Sequence, residues 1–572
     1  QLRADFAELF VSVIEREGGR PMAILGDDAI GVFGLGGLRE GETEAAVDAA
    51  LRLMSMFKTM PANLLDGVTL RIGIDVGPVQ SRGLGVTFGT AFAGGATVER
   101  TRAAAIAAPA GSVVLGETAL CEVRVVYDVR RRDVGDDASC AVVERRRDSA
   151  RSLGAYVGQS AGVRLVARET ERMMLTRASK RVLRSDCLVA VPVMGEAGSG
   201  KSRLVSEFLQ QLGDEGERWQ LDIGACSALG LPVAYEPLVE IVRARVRAHE
   251  ASDDDDLRAR LQRLPGLAAE ASVPAEVAQR RLRTLLRMLG LHATDGEASV
   301  RPATDAEQQA AFEAFSHLIR ASCAIAPVVL VIEAMQWAKG PTLELIAHLA
   351  RTCDDVPLLL IPILRSDRAD AVLAALALPA ARTTPIDLGP LEIDEVGTLV
   401  EALRPGAQVP EPLVEAIAAL SDGLPGQIEA VVLALTEDGC FEHAGDHWHV
   451  DVKRATAAAK GRSLGDLVLQ RINRMAPNER GLIEALAAAG PAAPRGVLAA
   501  MLGREPSERE FDAAKQQRLL VEVRSPQFRG QRAFTLRQAQ VGDVVLGALP
   551  VALRAELHRR AARWLLDWRE PR

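Results

Sequence analysis

The sequence predicts a multidomain protein that combines α/β and α+β architecture. Three observations predict this. Residues Gly195-Glu196-Ala197-Gly198-Ser199-Gly200-Lys201-Ser202 form a complete phosphate-binding loop between a strand-like and a helix-like stretch. Two apolar runs further on, 328–332 and 358–364, read as buried strands of a parallel sheet. Short strands punctuated by Gly- and Asp-rich turns fill the front of the chain, residues 1–145.

The loop's chemistry follows from its residue types. Glycines let backbone N–H groups wrap phosphates, Lys201 reaches the outer phosphates, and the Ser202 hydroxyl holds Mg²⁺. Arg203 completes the stretch expected to meet the nucleotide. Cys187 to Val191 supplies the strand before the loop, and Leu204, Val205, Phe208, Leu209 and Leu212 repeat at helical spacing after it. That order turns a helix N-terminus toward an anion. Pro192 has no N–H to give to a ladder, so it is expected near the strand's end. Glu333 closes the second strand and can hold the hydration shell of Mg²⁺. Arg365 closes the third and can sense a terminal phosphate. The plain alternatives are a strand-end carboxylate and a strand-end guanidinium facing water.

The bulk numbers narrow the field. A chain of 572 residues holds about three to five domains. It is 48% hydrophobic and 25% charged, an ordinary globular composition. A net charge of −8 gives no bulk attraction to nucleic acid or anionic membrane. No apolar run approaches the about 18 residues of a membrane span. Seven scattered cysteines with no C-x-x-C pair read as reduced thiols, hence a cytoplasmic setting. The chain opens on Gln1, which reads as a piece of something longer.

Four ordered blocks then carry a resemblance. Leu165-Val166-Ala167-Arg168-Glu169-Thr170-Glu171 precedes the loop, Ala234-Tyr235-Glu236-Pro237-Leu238 follows it, then Glu333-Ala334-Met335-Gln336-Trp337-Ala338, then Gly423-Leu424-Pro425. From about residue 155 to 572 the chain resembles the STAND (signal-transduction) ATPases of the AAA superfamily. The resemblance implies a P-loop NTPase core, ATP or ADP with Mg²⁺ as cofactors, and a Pro425 that packs near the adenine. The family has a second acid after Glu333 to polarise water; here that position is Ala334. Its usual His and Asp are replaced by Gln336 and Lys339. Glu333 remains as the candidate catalytic carboxylate, and slow or no hydrolysis is expected.

The front reads differently. Gly26-Asp27-Asp28-Ala29-Ile30-Gly31-Val32-Phe33, Leu70-Arg71-Ile72-Gly73-Ile74-Asp75-Val76-Gly77 and Pro109-Ala110-Gly111-Ser112-Val113 are similar to blocks of the class III adenylate/guanylate cyclases, an α+β ferredoxin-like fold. Cyclase followed by ATPase also resembles bacterial cyclase–ATPase fusions and soluble adenylyl cyclases. The chemistry needs two metal-binding Asp, a base-reading Lys, and an Asn–Arg pair for the transition state. Asp27 matches one metal ligand, with a turn aspartate as its alternative. The lysine position is Ala23, and the Asn–Arg positions fall on Glu99 and Ala103, or on Ala93 and Thr97 in a shifted register. Arg100 and Arg102 lie nearby on the wrong helical positions. A degenerate domain is expected.

At the back, Cys440, His443, His447 and His449 fit no strong zinc spacing, and Ala444-Gly445-Asp446 reads as a turn between strands. Helices followed by strands 519–523 and 533–536 predict a winged helix without a basic stripe, so DNA is not the expected partner. The resemblance implies that this domain closes over the nucleotide, with Gln538 where the family often places a phosphate-touching His. Leu553, Leu557, Ala561, Trp564, Leu565 and Trp568 share one helical face. The expected order is a cyclase-homology domain (1–145), a linker (146–160), the ATPase core (161–395), a helical lid with a hairpin (396–460), a winged helix (461–549) and the start of a helical, tetratricopeptide-like region (550–572).

Together these predict a nucleotide switch in signal transduction. The expected partners are the nucleotide and proteins or further copies, met through the cyclase-like and C-terminal helical regions, with no membrane. Three alternatives stand beside it: an adenylate cyclase active only with an intact partner half, a nucleotide-controlled transcriptional regulator, and a scaffold that has lost nucleotide control, against which the intact Lys201 and Ser202 argue.

Overall fold

The computed structural model describes residues 2–17, 19–25, 28–34, 42–58, 68–77, 79–82, 92–123, 127–133, 139–146, 165–214, 219–226, 235–246, 259–264, 275–288, 305–338, 340–404, 406–407, 409–444, 447–459, 464–490, 493–517, 519–523, 532–536 and 539–569. The chain divides into two compact units, residues 1–147 with 158–162, and 148–157 with 163–572.

The first unit mixes helices with short strands. Helix Leu2–Arg16 buries Phe10, Val13 and Ile14, spaced three and four apart, against Ala49 and Leu53 of helix Glu42–Lys58. Strands Arg20–Leu25 and Asp28–Val32 form an antiparallel hairpin. A four-stranded sheet runs in the order Ile72–Ile74, Val113–Leu115, Ser139–Arg146, Tyr127–Asp133, its first pair parallel and the others antiparallel. Gly73 lets helix Ala96–Ala107 lie directly on this sheet, because a Cβ there would stand 2.4 Å from the Thr101 carbonyl oxygen. The buried Tyr127 hydroxyl donates to Asp48 Oδ1 at 2.8 Å and ties the sheet to helix Glu42–Lys58.

The second unit is organised by a parallel sheet. Strands Gln220–Ala225, Val328–Glu333, Leu358–Pro362 and Val189–Ala190 lie side by side in that order. Strand Val193–Gly195 continues the last of these and pairs with Ile386–Leu388. Pro192 sits just past the end of strand Val189–Ala190, as expected, in the two-residue break before strand Val193–Gly195. Val191 N donates to Leu360 O at 2.8 Å on one side, while Ile386 N donates to Pro192 O at 2.8 Å on the other. Only the proline's own donor is lost, and the flanking groups keep their partners. The helix after the loop, Lys201–Asp214, buries Leu204, Val205, Phe208 and Leu209.

A buried ion pair fixes the sheet's first strand to two helices. Arg245, at the end of helix Glu236–Arg245, donates Nε to Asp222 Oδ1 at 3.0 Å, Nη2 to Asp222 Oδ2, and Nη1 to Ser322 Oγ at 2.6 Å. The two charged side chains are 3% and 0% exposed. Gly224 on the same strand allows this close approach, since a Cβ would meet the Pro237 carbonyl oxygen at 2.2 Å. Cys226, Cys323 and Cys353 belong to this core. Burial raises all three thiols, Cys323 to about 12 and Cys353 to about 11. Among the described residues the cysteines are free thiols.

Beyond the sheet, helices Ile393–Leu403, Glu411–Ser421 and Pro425–Glu437 pack with the hairpin Phe441–Ala444/His447–Val450 around one core, which Val166 and Ala167 also join. Among the described residues no single helix is long and apolar enough to cross a membrane. One bent pair, Glu411–Ser421 with Pro425–Thr436, matches in length and composition, but it buries Leu413, Ile417, Ile428 and Val431 in this core. No group of three or more potential metal ligands occurs among the described residues.

The C-terminal stretch combines helices Leu464–Asn473, Pro477–Ala489, Arg495–Leu502 and Glu508–Gln516 with a three-stranded sheet ordered Ala493–Pro494, Ala533–Leu536, Leu520–Val523. Phe511 and Phe534 stack at 4.2 Å. Helix Val551–Arg569 closes this core with Leu557, Ala561, Trp564 and Leu565. Trp564 lies against Gly496, where a Cβ would stand 2.6 Å from the ring. Leu553 is 39% exposed and so leaves the shared apolar face; the Trp568 side chain lies outside the described residues.

Asp222→Ala strands the Arg245 guanidinium in the core. Stability should fall by about 3–5 kcal/mol, read as a lower urea midpoint for the transition that exposes the buried Trp219.

Candidate nucleotide-binding site

Local backbone chemistry shapes the loop. Gly195, Gly198 and Gly200 have φ of +151°, +83° and +95°, values that side chains other than hydrogen rarely accept. A Cβ on Gly195 would also lie 2.4 Å from Ser199 Oγ. Leu204 N donates to Gly200 O at 2.9 Å and starts the helix, so Lys201 and Ser202 occupy its first turn. The positive end of the helix dipole thus faces the loop.

The polar side chains converge there. Lys201 Nζ donates to Glu196 O at 2.6 Å and Gly195 O at 3.0 Å. Ser202 Oγ donates to Glu333 Oε1 at 2.6 Å, joining the loop to the tip of the second strand. A hydroxyl and a carboxylate side by side are the hard oxygen ligands that Mg²⁺ takes, so these residues fit that ion. Ser199 Oγ is buried with no hydrogen-bond partner among the described residues. Burial lowers the Lys201 ammonium to about 8, helped by the positive charge of Arg365, while Asp387, Glu196 and Glu333 oppose the shift.

The other expected residues fall out as follows. Arg365 follows its strand, acts electrostatically on Lys201, and donates Nε to Asp367 Oδ1 at 3.1 Å. Arg203 runs along the helix to Glu207 at 3.6 Å. Pro425 opens helix Pro425–Glu437, its Cγ 4.0 Å from where a Gly200 Cβ would be. Ala334 has a left-handed φ of +54°, and the turn after it buries Gln336 Oε1 without a partner among the described residues. Asp27, Lys339 and Gln538 lie outside the described residues. In the first unit, the displaced arginines are occupied: Arg100 pairs with Asp75 at 3.2 Å and Arg102 with Asp28 at 2.7 Å.

Two participants were not foreseen. Gly426 N donates to Gly198 O at 2.9 Å, so the helical segment touches the loop through its backbone. Asp387 accepts from Ser366 Oγ at 3.1 Å, on the strand paired with the loop strand. A polar residue alternating with the buried Ile386 and Leu388 was the available signal, but its strand partner is not readable from sequence.

The phosphate loop falls within a known domain family. Residues 164–361 match the AAA ATPase domain family. The chain therefore carries an AAA ATPase domain, which implies nucleotide binding and usually Mg²⁺. It is 24% identical over 412 residues to an uncharacterized protein of Rhizobium meliloti (strain 1021), covering 69% of this chain and 36% of that one. The chain thus spans about a third of the length of that relative. Among solved structures, it is similar to a signal transduction ATPase with numerous domains and a tetratricopeptide repeat sensor from Pyrococcus horikoshii. That match has 13% identity, 74% and 47% coverage of the two chains, and a TM-score of 0.36. Another is the guanylyl cyclase domain of the RhoGC fusion protein from Blastocladiella emersonii, with 21% identity, 26% and 82% coverage, and a TM-score of 0.23.

A bound polyphosphate restores the charged form of Lys201, so binding takes up a proton wherever the empty site has lost it. Affinity for ADP should fall as pH rises through about 8, by up to about tenfold per unit. Calorimetric titration in buffers of different ionisation enthalpy checks this, and Lys201→Arg should remove the proton uptake.

Proposed function

We propose that this chain is an ATP/ADP-binding switch of the STAND type that hydrolyses slowly or not at all. The observation that carries this is a complete phosphate loop whose Ser202 meets Glu333, next to Ala334 where a second acid would polarise water. Lys201 and the loop N–H groups hold the phosphates, and Ser202 with Glu333 hold hydrated Mg²⁺. Arg365, whose charge acts on Lys201, would tell three phosphates from two. The bond from Gly426 to Gly198 supports helix Pro425–Glu437 as the lid, because a nucleotide that reshapes the loop also alters that bond. A switch requires the nucleotide to bind open and closed arrangements with unequal affinity. The C-terminal stretch, read as a winged helix, closes over the site and contributes Gln538.

In this reading the first unit is a degenerate cyclase-like regulatory module. The pairing of Arg100 and Arg102 with carboxylates supports a structural role for them. Asp27 keeps a vestigial metal-ligand position.

Calorimetry with Mg-ATP and Mg-ADP, with phosphate and cyclic AMP followed on the same sample, tests the proposal. Lys201→Ala should weaken binding at least about a hundredfold, consistent with the loss of about 3 kcal/mol of charge-assisted contacts. Wild-type turnover should be very slow, and Ala334→Asp should raise it by about tenfold or more. Absence of binding by the wild type would sink the switch, and cyclic AMP release would favour the cyclase alternative.

A further inference from the structure

Charge is segregated within the second unit in a way the nucleotide site does not use. Helix Glu169–Ser185 buries Leu175, Ala178 and Val182 on one side. On the opposite side Arg177, Lys180, Arg181 and Arg184 stand exposed, spaced three and four apart, with Met173 beside them at 49% exposure. From Arg172 to Ser185 the helix has no acidic residue. Arg181 donates to the Ala381 carbonyl oxygen, and none of the four cations forms an ion pair with a carboxylate among the described residues. Like charges packed this closely repel, so the face is costly unless an anion covers it.

The helical segment beyond the sheet has the opposite character. Between Asp387 and Asp451 the only lysine or arginine is Arg404. Its guanidinium turns inward, 4.7 Å over the Trp448 ring and bonded to Thr436 Oγ1 at 3.0 Å. Asp394 and Glu401 share the exposed face of helix Ile393–Leu403, and Glu411 and Glu415 share that of helix Glu411–Ser421. Two rigid, oppositely charged faces on one unit are complementary to each other in a second copy. The contact uses different patches on the two copies, so it is heterologous and propagates head to tail.

We propose that the chain self-associates by seating the cationic face of helix Glu169–Ser185 on the acidic helices Ile393–Leu403 and Glu411–Ser421 of the next copy. The contact is electrostatic, so it weakens with salt. It joins a helix that leads into the phosphate-loop strand to helix Glu411–Ser421, which immediately precedes the helix opened by Pro425.

Sedimentation velocity of the full chain at about 50 mM and about 500 mM salt tests this. Association at low salt, lost at high salt, is expected. Arg177→Glu with Arg184→Glu should weaken association at least about tenfold, and Glu401→Arg with Glu411→Arg should do the same. An equimolar mixture of the two variants should associate again, because each reversed face now finds its complement. A wild type that stays monomeric at low salt overturns the proposal, as does a mixture that stays apart. So does a mixed-sequence DNA duplex that binds through the helix face while the protein remains monomeric. Melting curves and nucleotide affinity report the folding of each variant. If a charge reversal unfolds the chain, the glutamine versions replace it, and they should weaken association to a lesser degree.

Discussion

Lys201 imposes the constraint around which the second unit is built. A primary ammonium in the first helical turn, partly withdrawn from water, needs oxygen around it. Here it takes the carbonyls of Gly195 and Glu196. Those carbonyls turn toward it only because the loop bends at glycines with positive φ. The bend, in turn, needs a strand on each side to anchor it. The Val193–Gly195 strand is held by Ile386–Leu388, and Ser202 is held by Glu333 from the second strand. The loop's own carbonyls thus meet the Lys201 ammonium, and the strand pairing and the Ser202–Glu333 bond hold the loop in the shape that brings them there.

What the sequence revealed about this site was the local part. Loop, flanking strand and amphipathic helix lie within one short stretch, and their spacing is fixed by backbone geometry. Glu333 and Arg365 were legible because strand ends in a parallel sheet collect on one edge. Pro192 was placed at a strand's end by its missing donor, but the short strand that resumes at Val193 depends on its pairing with Ile386–Leu388, a distant partner. Asp387 and Gly426 were invisible for a related reason: one contributes through a strand neighbour, the other through a backbone N–H that any residue type but proline would supply. In the first unit the sequence indicated which arginines were displaced, but not that Asp75 and Asp28 would receive them.

A buried ion pair and a charge network of the second unit differ in kind. Arg245 and Asp222 are sealed in, bidentate and supported by Ser322, so their value lies in fixing one arrangement of strand and helices. The network of Lys515, Glu522, Arg532 and Glu508 at the C-terminal end runs from a buried lysine out to a half-exposed arginine. It sits over the stacked Phe511 and Phe534. Gradual exposure lets this second network loosen from its outer end without stranding a charge inside.

The sheet core holds three thiols that stay protonated and shielded: Cys226 near the first strand, and Cys323 and Cys353 beside the second and third. A thiol reacts as its thiolate and only where reagent reaches it. Alkylation at these positions must then wait for the sheet and its covering helices to part. The rate of that reaction, followed with and without nucleotide, reports the free energy of opening in the very layer that carries the phosphate loop.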